Sequence, residues 1–333
     1  MPKARKGNTA VARRLAAAAM EVSAKPRPEA EDLVYLAYQF ICVTLPHSEP
    51  DPNLPVWTRV NGNLTLSVRP GWDFEANKPR GYPFGTIPRL LLFWLSTEVV
   101  RNKSRTVYLG DSLADFMKML GLDPSRGGVR SDVRRLREQM ERLFRCMISL
   151  ELRGKQAQDS GVHWVDMPVA LRGELWWNEK TPNVPTLWKS WIELNPRLFD
   201  ALLASSVPID FRILSALKNS ALGLDLYSWF SYKMFAVNKK NENIFVDWKG
   251  LMNQLGSQYS DWKDFKKNAK LIFEKIKIVS PEFPVEFVDR GLVLKPSDFY
   301  KKSLEAIQAK TKKRRREPLH GSEAHVESLP EDR

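Results

Sequence analysis

Hydrophobic and polar positions repeat one order twice along the chain. The first copy, Ile87–Ala170, opens with the apolar stretch IPRLLLFWLSTEVVR (Ile87–Arg101) and continues with a short run, TVYL (Thr106–Leu109). An acid-capped segment follows, DSLADFMKML (Asp111–Leu120), then a turn at Gly121 and the basic segment VRSDVRRLREQMERLFRC (Val129–Cys146). Two strand-like runs close it, MISLELR (Met147–Arg153) and VHWVDMPVA (Val162–Ala170). The second copy, Ala221–Pro296, has ALGLDLYSWFSYKMF (Ala221–Phe235), NIFV (Asn243–Val246), DWKGLMNQLG (Asp247–Gly256) and DWKDFKKNAKLIFEKIKI (Asp261–Ile278). It ends with PVEFVD and LVLKP on either side of Arg290-Gly291. Helical spacing in the long segments and alternation in the short ones predict helix, strand, helix, helix, strand, wing, strand.

That order is the order of a winged helix, a helix-turn-helix variant. The expected fold class is α+β: two winged-helix domains in tandem, with disordered basic termini. On a helical wheel, Val133, Leu136, Met140, Leu143 and Phe144 form one stripe of the first basic helix, while Arg130, Arg134, Arg135, Arg137, Arg142 and Arg145 fall on its other half. In the second basic helix, Trp262, Phe265, Ala269, Ile272, Phe273 and Ile276 form the apolar stripe. Lys263, Lys266, Lys267, Lys270 and Lys277 cluster on the opposite side. Like charges at i, i+3 and i+4 cost a few tenths of a kcal/mol per pair in an isolated helix. Phosphates would remove that cost. Either helix alone reads equally well as a solvated face; both at the same place in the repeat point to duplex DNA. Arg290, at the second wing, joins these residues as a candidate DNA contact.

Composition agrees. Lys and Arg number 52 against 39 Asp and Glu, a formal net charge of +13, which calls for a polyanionic partner. The length and a 43% hydrophobic content allow two packed domains. Cys42 and Cys146 are expected to be reduced thiols of a cytosolic protein. No apolar run is long enough to span a membrane.

Residues 1–30 read as a disordered basic arm, whose Ala-rich Ala12–Glu21 could turn helical on DNA or a partner. Residues 301–333 read as a disordered tail, with the basic cluster Lys312–Arg316 before an acidic end. The first domain is expected over 31–200, opening with a β-rich lead-in, Glu31–Pro83. There Asn61-Gly62 signals a hairpin and Leu64, Leu66 and Val68 alternate. The second domain is expected over 201–300, with the joint in Leu198–Pro208. Trp176, Trp177, Trp188 and Trp191 read as a buried seam between the repeats rather than as base-stacking rings.

Catalytic equipment is sparse. The chain has no G-x-x-x-x-G-K-[ST] phosphate loop, and His47, His163, His320 and His325 stand apart, with no metal-ligand spacing. No catalytic residue, metal or cofactor is expected; Asp111, Asp247 and Asp261 read as helix caps. The enzymatic alternative is a strand-nicking initiator using one tyrosine.

YPFGTIPRLLLFWLSTEVVR, LGDSLADFMKMLGLDPSRGG, DVRRLREQMERLF, WVDMPVALRGELWW, the stretch from WIELNPRLFDALLASSVPIDFRILS to SYKMF, and DFKKNAKLIFEKIK resemble plasmid-encoded RepA-type replication initiators. The likeness spans about Phe40 to Pro296, and Gly85–Leu143 is its most specific block. It implies an iteron-binding protein with two pseudo-symmetric winged helices, the second dominating recognition and the first adding contacts and mediating dimerisation. It also implies active monomers and repressing dimers. The recognition helices would fall on Asp132–Arg145 and Asp261–Lys277.

Side-chain chemistry alone points the other way, since Arg suits bidentate contact with guanine and Lys suits point contact with phosphate. The expected partners are double-stranded DNA carrying origin repeats and host replication proteins such as helicase and initiator. A homodimer is a further expectation, through a strand edge in the lead-in or wing; equally, the lead-in itself could cover that surface. A tandem winged-helix transcriptional repressor is the alternative that binding chemistry leaves open.

Overall fold

The apolar stretches that open the two repeats become the most deeply buried helices of the chain, as helices apolar on all sides must. The computed structural model describes residues 6–124, 132–153, 162–176, 190–256 and 259–297. In chain order, helix α1 (Lys6–Ala24), strand β1 (Leu33–Ala37) and helix α2 (Tyr38–Cys42) lead to the hairpin β2 (Trp57–Asn61) and β3 (Leu64–Arg69). A small hairpin, β4 (Trp72–Asp73) and β5 (Lys78–Pro79), precedes α3 (Thr86–Asn102), β6 (Thr106–Tyr108), α4 (Leu113–Met119) and α5 (Asp132–Phe144). Then come β7 (Met147–Arg153), β8 (Val162–Pro168), β9 (Ala170–Glu174) and β10 (Trp191–Leu194). The rest comprises α6 (Pro196–Ser205), β11 (Ser206–Asp210), α7 (Phe211–Ala216), α8 (Ala221–Lys240), β12 (Ile244–Asp247), α9 (Trp248–Leu255), α10 (Trp262–Val279), β13 (Val285–Phe287) and β14 (Gly291–Leu294). The architecture is α+β.

The second repeat follows its expected order. Asp247 caps α9 by accepting from the Gly250 amide, and Asp261 caps α10 by accepting from the Lys263 amide. β12 and β13 both pair antiparallel with β14, which forms the centre of a three-stranded sheet. Gly291 opens β14 so close to β12 that a Cβ would overlap the Val246 carbonyl oxygen and the Phe245 ring. Gly291→Ala is expected to lower stability by about 1–3 kcal/mol through this overlap. Thermal unfolding of the variant checks it.

The first repeat departs from expectation. β7 and β8, predicted to flank its wing, instead extend the lead-in hairpin into a four-stranded sheet ordered β2-β3-β7-β8. Leu66 faces Leu150 and Val68 faces Ile148 across that sheet, with Leu66, Val68 and Ile148 fully covered. The strand after α3 finds its partner further on: β6 pairs with β10, and β10 with β9. The sheet β6-β10-β9 thus has the same central-strand arrangement as β12-β14-β13, and the first repeat runs to Leu194 rather than Ala170. Alternation marks a strand but says nothing of which strand it joins. At α4 the cap is Ser112, which accepts from the Asp115 amide, rather than Asp111.

Three further expectations are corrected. The N-terminal arm contains α1, whose Leu15, Ala18 and Val22 are buried against α7 and α10. Their spacing makes one narrow apolar stripe among alanines. Arg14 donates to the Ala216 carbonyl at 3.1 Å, and Arg212 to the Lys25 carbonyl at 2.5 Å, tying the middle and the C-terminal end of α1 to α7.

The joint between halves is no linker. The expected boundary at 200/201 lies inside α6, whose Leu198 and Leu202 are buried, and β11 pairs with β1 of the lead-in. A single apolar cluster continues from Leu15 to Leu294. Of the tryptophans expected in a buried seam, Trp176 is instead 48% exposed and Trp191 half-buried, while Trp177 and Trp188 lie outside the described residues. The expected tail, 301–333, also lies outside them. Cys42 and Cys146 are free thiols, and burial pushes Cys146 up to about 12.

Candidate nucleic-acid interface

The basic faces form because each amphipathic helix must bury one stripe, leaving its charges no place but the other side. On α10, Phe265, Ala269, Ile272, Phe273 and Ile276 are buried, while Lys263 and Lys267 are exposed. Lys266 donates to the Asp289 carbonyl at 2.8 Å and lies 5.7 Å from the Trp262 ring centre. Lys270 and Lys277 lie 5.2 and 5.1 Å from the Phe287 ring. The stems of these lysines are packed and their ammonium groups fixed beside the β13–β14 hairpin, next to exposed Arg290. Among the described residues, none of the five lysines ion-pairs with a carboxylate.

The arginines of α5 differ. Arg134, Arg135 and Arg137 are exposed, but Arg135 meets Asp132 at 3.2 Å and Arg137 meets Glu141 at 3.4 Å. Arg142 leaves the candidate set: its side chain is nearly covered, bonded to Glu49 at 2.6 Å, Glu138 at 2.5 Å and the Tyr82 carbonyl at 3.2 Å. It also sits 5.3 Å from the Phe84 ring. A guanidinium so engaged braces α5 against the preceding segment instead of facing a ligand. Arg130 lies outside the described residues. Among the described residues, then, the five lysines of α10 make no ion pair, Lys277 acting on Glu286 only from a distance, whereas Arg135, Arg137 and Arg142 of α5 are paired.

Two features escaped the sequence. One is the β4–β5 hairpin, held over α5 by an Arg80–Glu141 ion pair and closed on itself by Arg80–Asp73 at 3.4 Å. Its only sequence signal is a turn in which the Asp73 carboxylate accepts from the Glu75 and Ala76 amides, both at 3.1 Å.

The other is a buried cluster between α3 and α8. Arg89 grips Asp225 with two 2.8 Å bonds and donates to the carbonyls of Leu45, Pro46 and Gly85. His47 Nε2 lies 2.7 Å from the same carboxylate. Burial alone would raise the Asp225 carboxyl, but the Arg89 charge and the His47 hydrogen bond outweigh it and hold it at about 2. Burial, with Arg89 nearby, lowers His47, and burial brings Arg59 down to about 10. The cluster joins the leading helices of the two repeats and is structural in character.

Among the described residues no group of three His, Cys, Asp or Glu side chains could hold a metal, and no helix is long and apolar enough to cross a membrane.

A family model described as plasmid-encoded RepA protein matches residues 82–249, just over half of the chain. Among solved structures, the chain is similar to a selenomethionine crystal structure of domains 2 and 3 of RctB, at 13% identity and a TM-score of 0.50. The match covers 78% of this chain and 96% of that one. A second structure of RctB domains 2–3 matches at 12% identity and a TM-score of 0.47, over 80% and 99% of the two chains. At such identity the first likeness is one of fold. No curated protein sequence matches the chain.

Proposed function

The chain belongs to the plasmid-encoded RepA family of replication initiators, and from that premise we propose that it grips repeated origin DNA through two winged-helix halves. In this reading α10 is the dominant recognition helix, with α5 adding contacts. The observation that carries it is the lysine face of α10, set beside a hairpin and without an ion pair among the described residues. The two sheets with matching central strands, β6-β10-β9 and β12-β14-β13, support the two winged halves, with the β13–β14 connection as the wing of the second. Two such helices in successive major grooves on one side of the DNA sit about one helical turn apart. Bending the duplex across both would strain a neighbouring A·T-rich stretch and let host helicase and initiator proteins load, in the bacterial cytoplasm. Binding energy supplies the opening, with no catalytic step and no cofactor.

Transformation tests the reading. Supplied in trans, the gene should maintain a plasmid that carries only the cognate repeat array, and a Lys263→Gln/Lys267→Gln variant should fail to. A repressor would bind the same array and maintain nothing.

A dimeric resting form fits the four-stranded sheet, whose outer strand β8 presents Val162 and Trp164, the latter 66% exposed. Pairing of two β8 edges about a two-fold axis would cover both. Placing a charge at that edge with Val162→Lys should convert the dimer to monomer in sedimentation. A wild-type chain that is monomeric at every concentration removes the resting form from the proposal.

A further inference from the structure

Beside α5 a groove of 630 Å³ runs between that helix, β9 and the β4–β5 hairpin. Phe144 and Ile192 lie along its floor, and Arg137, Arg145 and Arg172 line it against a single carboxylate, Glu141. Two rings overhang it from the hairpin: Phe74, 82% exposed, and Trp72, 46% exposed. They are not on a loose loop. Arg80 ties the hairpin to Glu141 of α5, and Gly71 lies so close to α5 that a Cβ would overlap the Arg145 carbonyl oxygen. Two neighbouring rings left in water on an anchored hairpin, beside arginines, mark an interaction surface.

We propose that this groove holds unpaired nucleotides, with bases stacked on Phe74 and Trp72 and phosphates met by Arg145 and Arg172. The inference rests on the reading of the chain as a DNA-binding initiator and deepens it: the groove takes one strand of the origin where the duplex opens beside the bound repeats. Rings alone fit any apolar partner and arginines alone fit any anion. Planar apolar faces alternating with evenly spaced negative charges are the chemistry of a single nucleic-acid strand. Arg145 is exposed and ion-pairs with no carboxylate among the described residues, so its charge is available. Arg172 is aimed by Glu193 at 2.6 Å and by the Trp191 ring at 5.7 Å.

The test uses the full chain, a fluorescent oligothymidine of about ten nucleotides and a fluorescent duplex carrying one origin repeat, read by anisotropy. Trp72→Ala/Phe74→Ala should weaken oligothymidine binding at least about tenfold while leaving duplex binding unchanged. Trp72→Phe/Phe74→Tyr, which keeps the stacking faces, should restore it, and Arg145→Gln should flatten its salt dependence.

The proposal is overturned if the alanine variant binds oligothymidine as the wild type does. It is also overturned if both ligands weaken together and both recover in the aromatic variant, since the hairpin would then serve the duplex. Wild-type binding of duplex without oligothymidine removes the groove and leaves the initiator reading standing; binding of neither removes both. An acidic amphipathic peptide that binds at the two rings while oligothymidine does not would assign the groove to a protein partner instead.

Discussion

Replacing Asp225 with alanine is expected to cost about 3–5 kcal/mol of folding stability, more than any other single substitution proposed for this chain. Arg89 is only 4% exposed and Asp225 7%. Removing the carboxylate leaves the Arg89 charge in the core with three carbonyl oxygens but no counter-charge, and Arg59 beside it loses the same partner. Such a loss is a large share of the roughly 5–15 kcal/mol by which domains are ordinarily stable. Urea unfolding of Asp225→Ala measures it. Because the cost arises from an orphaned charge rather than from lost attraction, Arg89→Met/Asp225→Leu should be less destabilising than Asp225→Ala alone. A double variant as unstable as the sum of both singles would sink that account.

The same cluster fixes the sign of an acid response. Asp225 is held at about 2, below its unfolded value, so its contribution is complete above about pH 4 and is lost as pH falls toward 2. His47 is also lowered, and the unfolded chain therefore takes up that proton first; stability erodes as pH drops below about 6.5. Both act in the same direction. His47→Gln, which keeps a donor toward Asp225 without a titrating ring, should flatten the limb just below about pH 6.5 and leave the lower one in place.

Much of the second repeat was legible in the sequence because its signals are local. Asp247 and Asp261 cap their helices, the apolar stripe of α10 faces inward, and Gly291 opens the return strand. The lead-in hairpin at Asn61-Gly62 was legible for the same reason: Gly62 adopts φ 60°, which a turn of two residues demands. What failed was everything decided at long range. The partner of β6 lies more than eighty residues away in β10, and of the strands between them β7 pairs with the free edge of β3 and β8 with β7. Arg142 looks on a wheel like any other basic position; only the arrival of Glu49 and Tyr82 from the preceding segment makes it a brace. His47 and Asp225 were unremarkable singly and meet only because α3 and α8 pack together. Short apolar stripes such as Leu15, Ala18 and Val22 fall below what composition-based reading takes for a folded helix.

DNA affinity should fall by roughly 10³–10⁵ between about 50 and 200 mM salt if six to ten phosphates are contacted, and the share of that slope carried by each helix identifies the dominant one. Every phosphate that a variant no longer neutralises should lower the slope by about 0.9. Lys→Gln at 263, 266, 267 or 270 removes the charge while keeping a side chain of similar length, so slopes should drop nearly one for one and affinity for all sequences should weaken alike. On α5, Arg135 and Arg137 already have carboxylate partners; DNA must take their place, and each neutralisation there should change the slope by clearly less. A base-reading arginine behaves differently again. Arg134→Gln should relax specificity at one position of the repeat by about 1–3 kcal/mol if it makes a bidentate guanine contact. Arginine chemistry would favour α5 as the reader, but lysines without an ion pair among the described residues favour α10 as the anchor, and an anchor dominates affinity while a reader dominates discrimination. A larger salt-slope change from the α5 variants than from the α10 variants would reverse the order of the two helices.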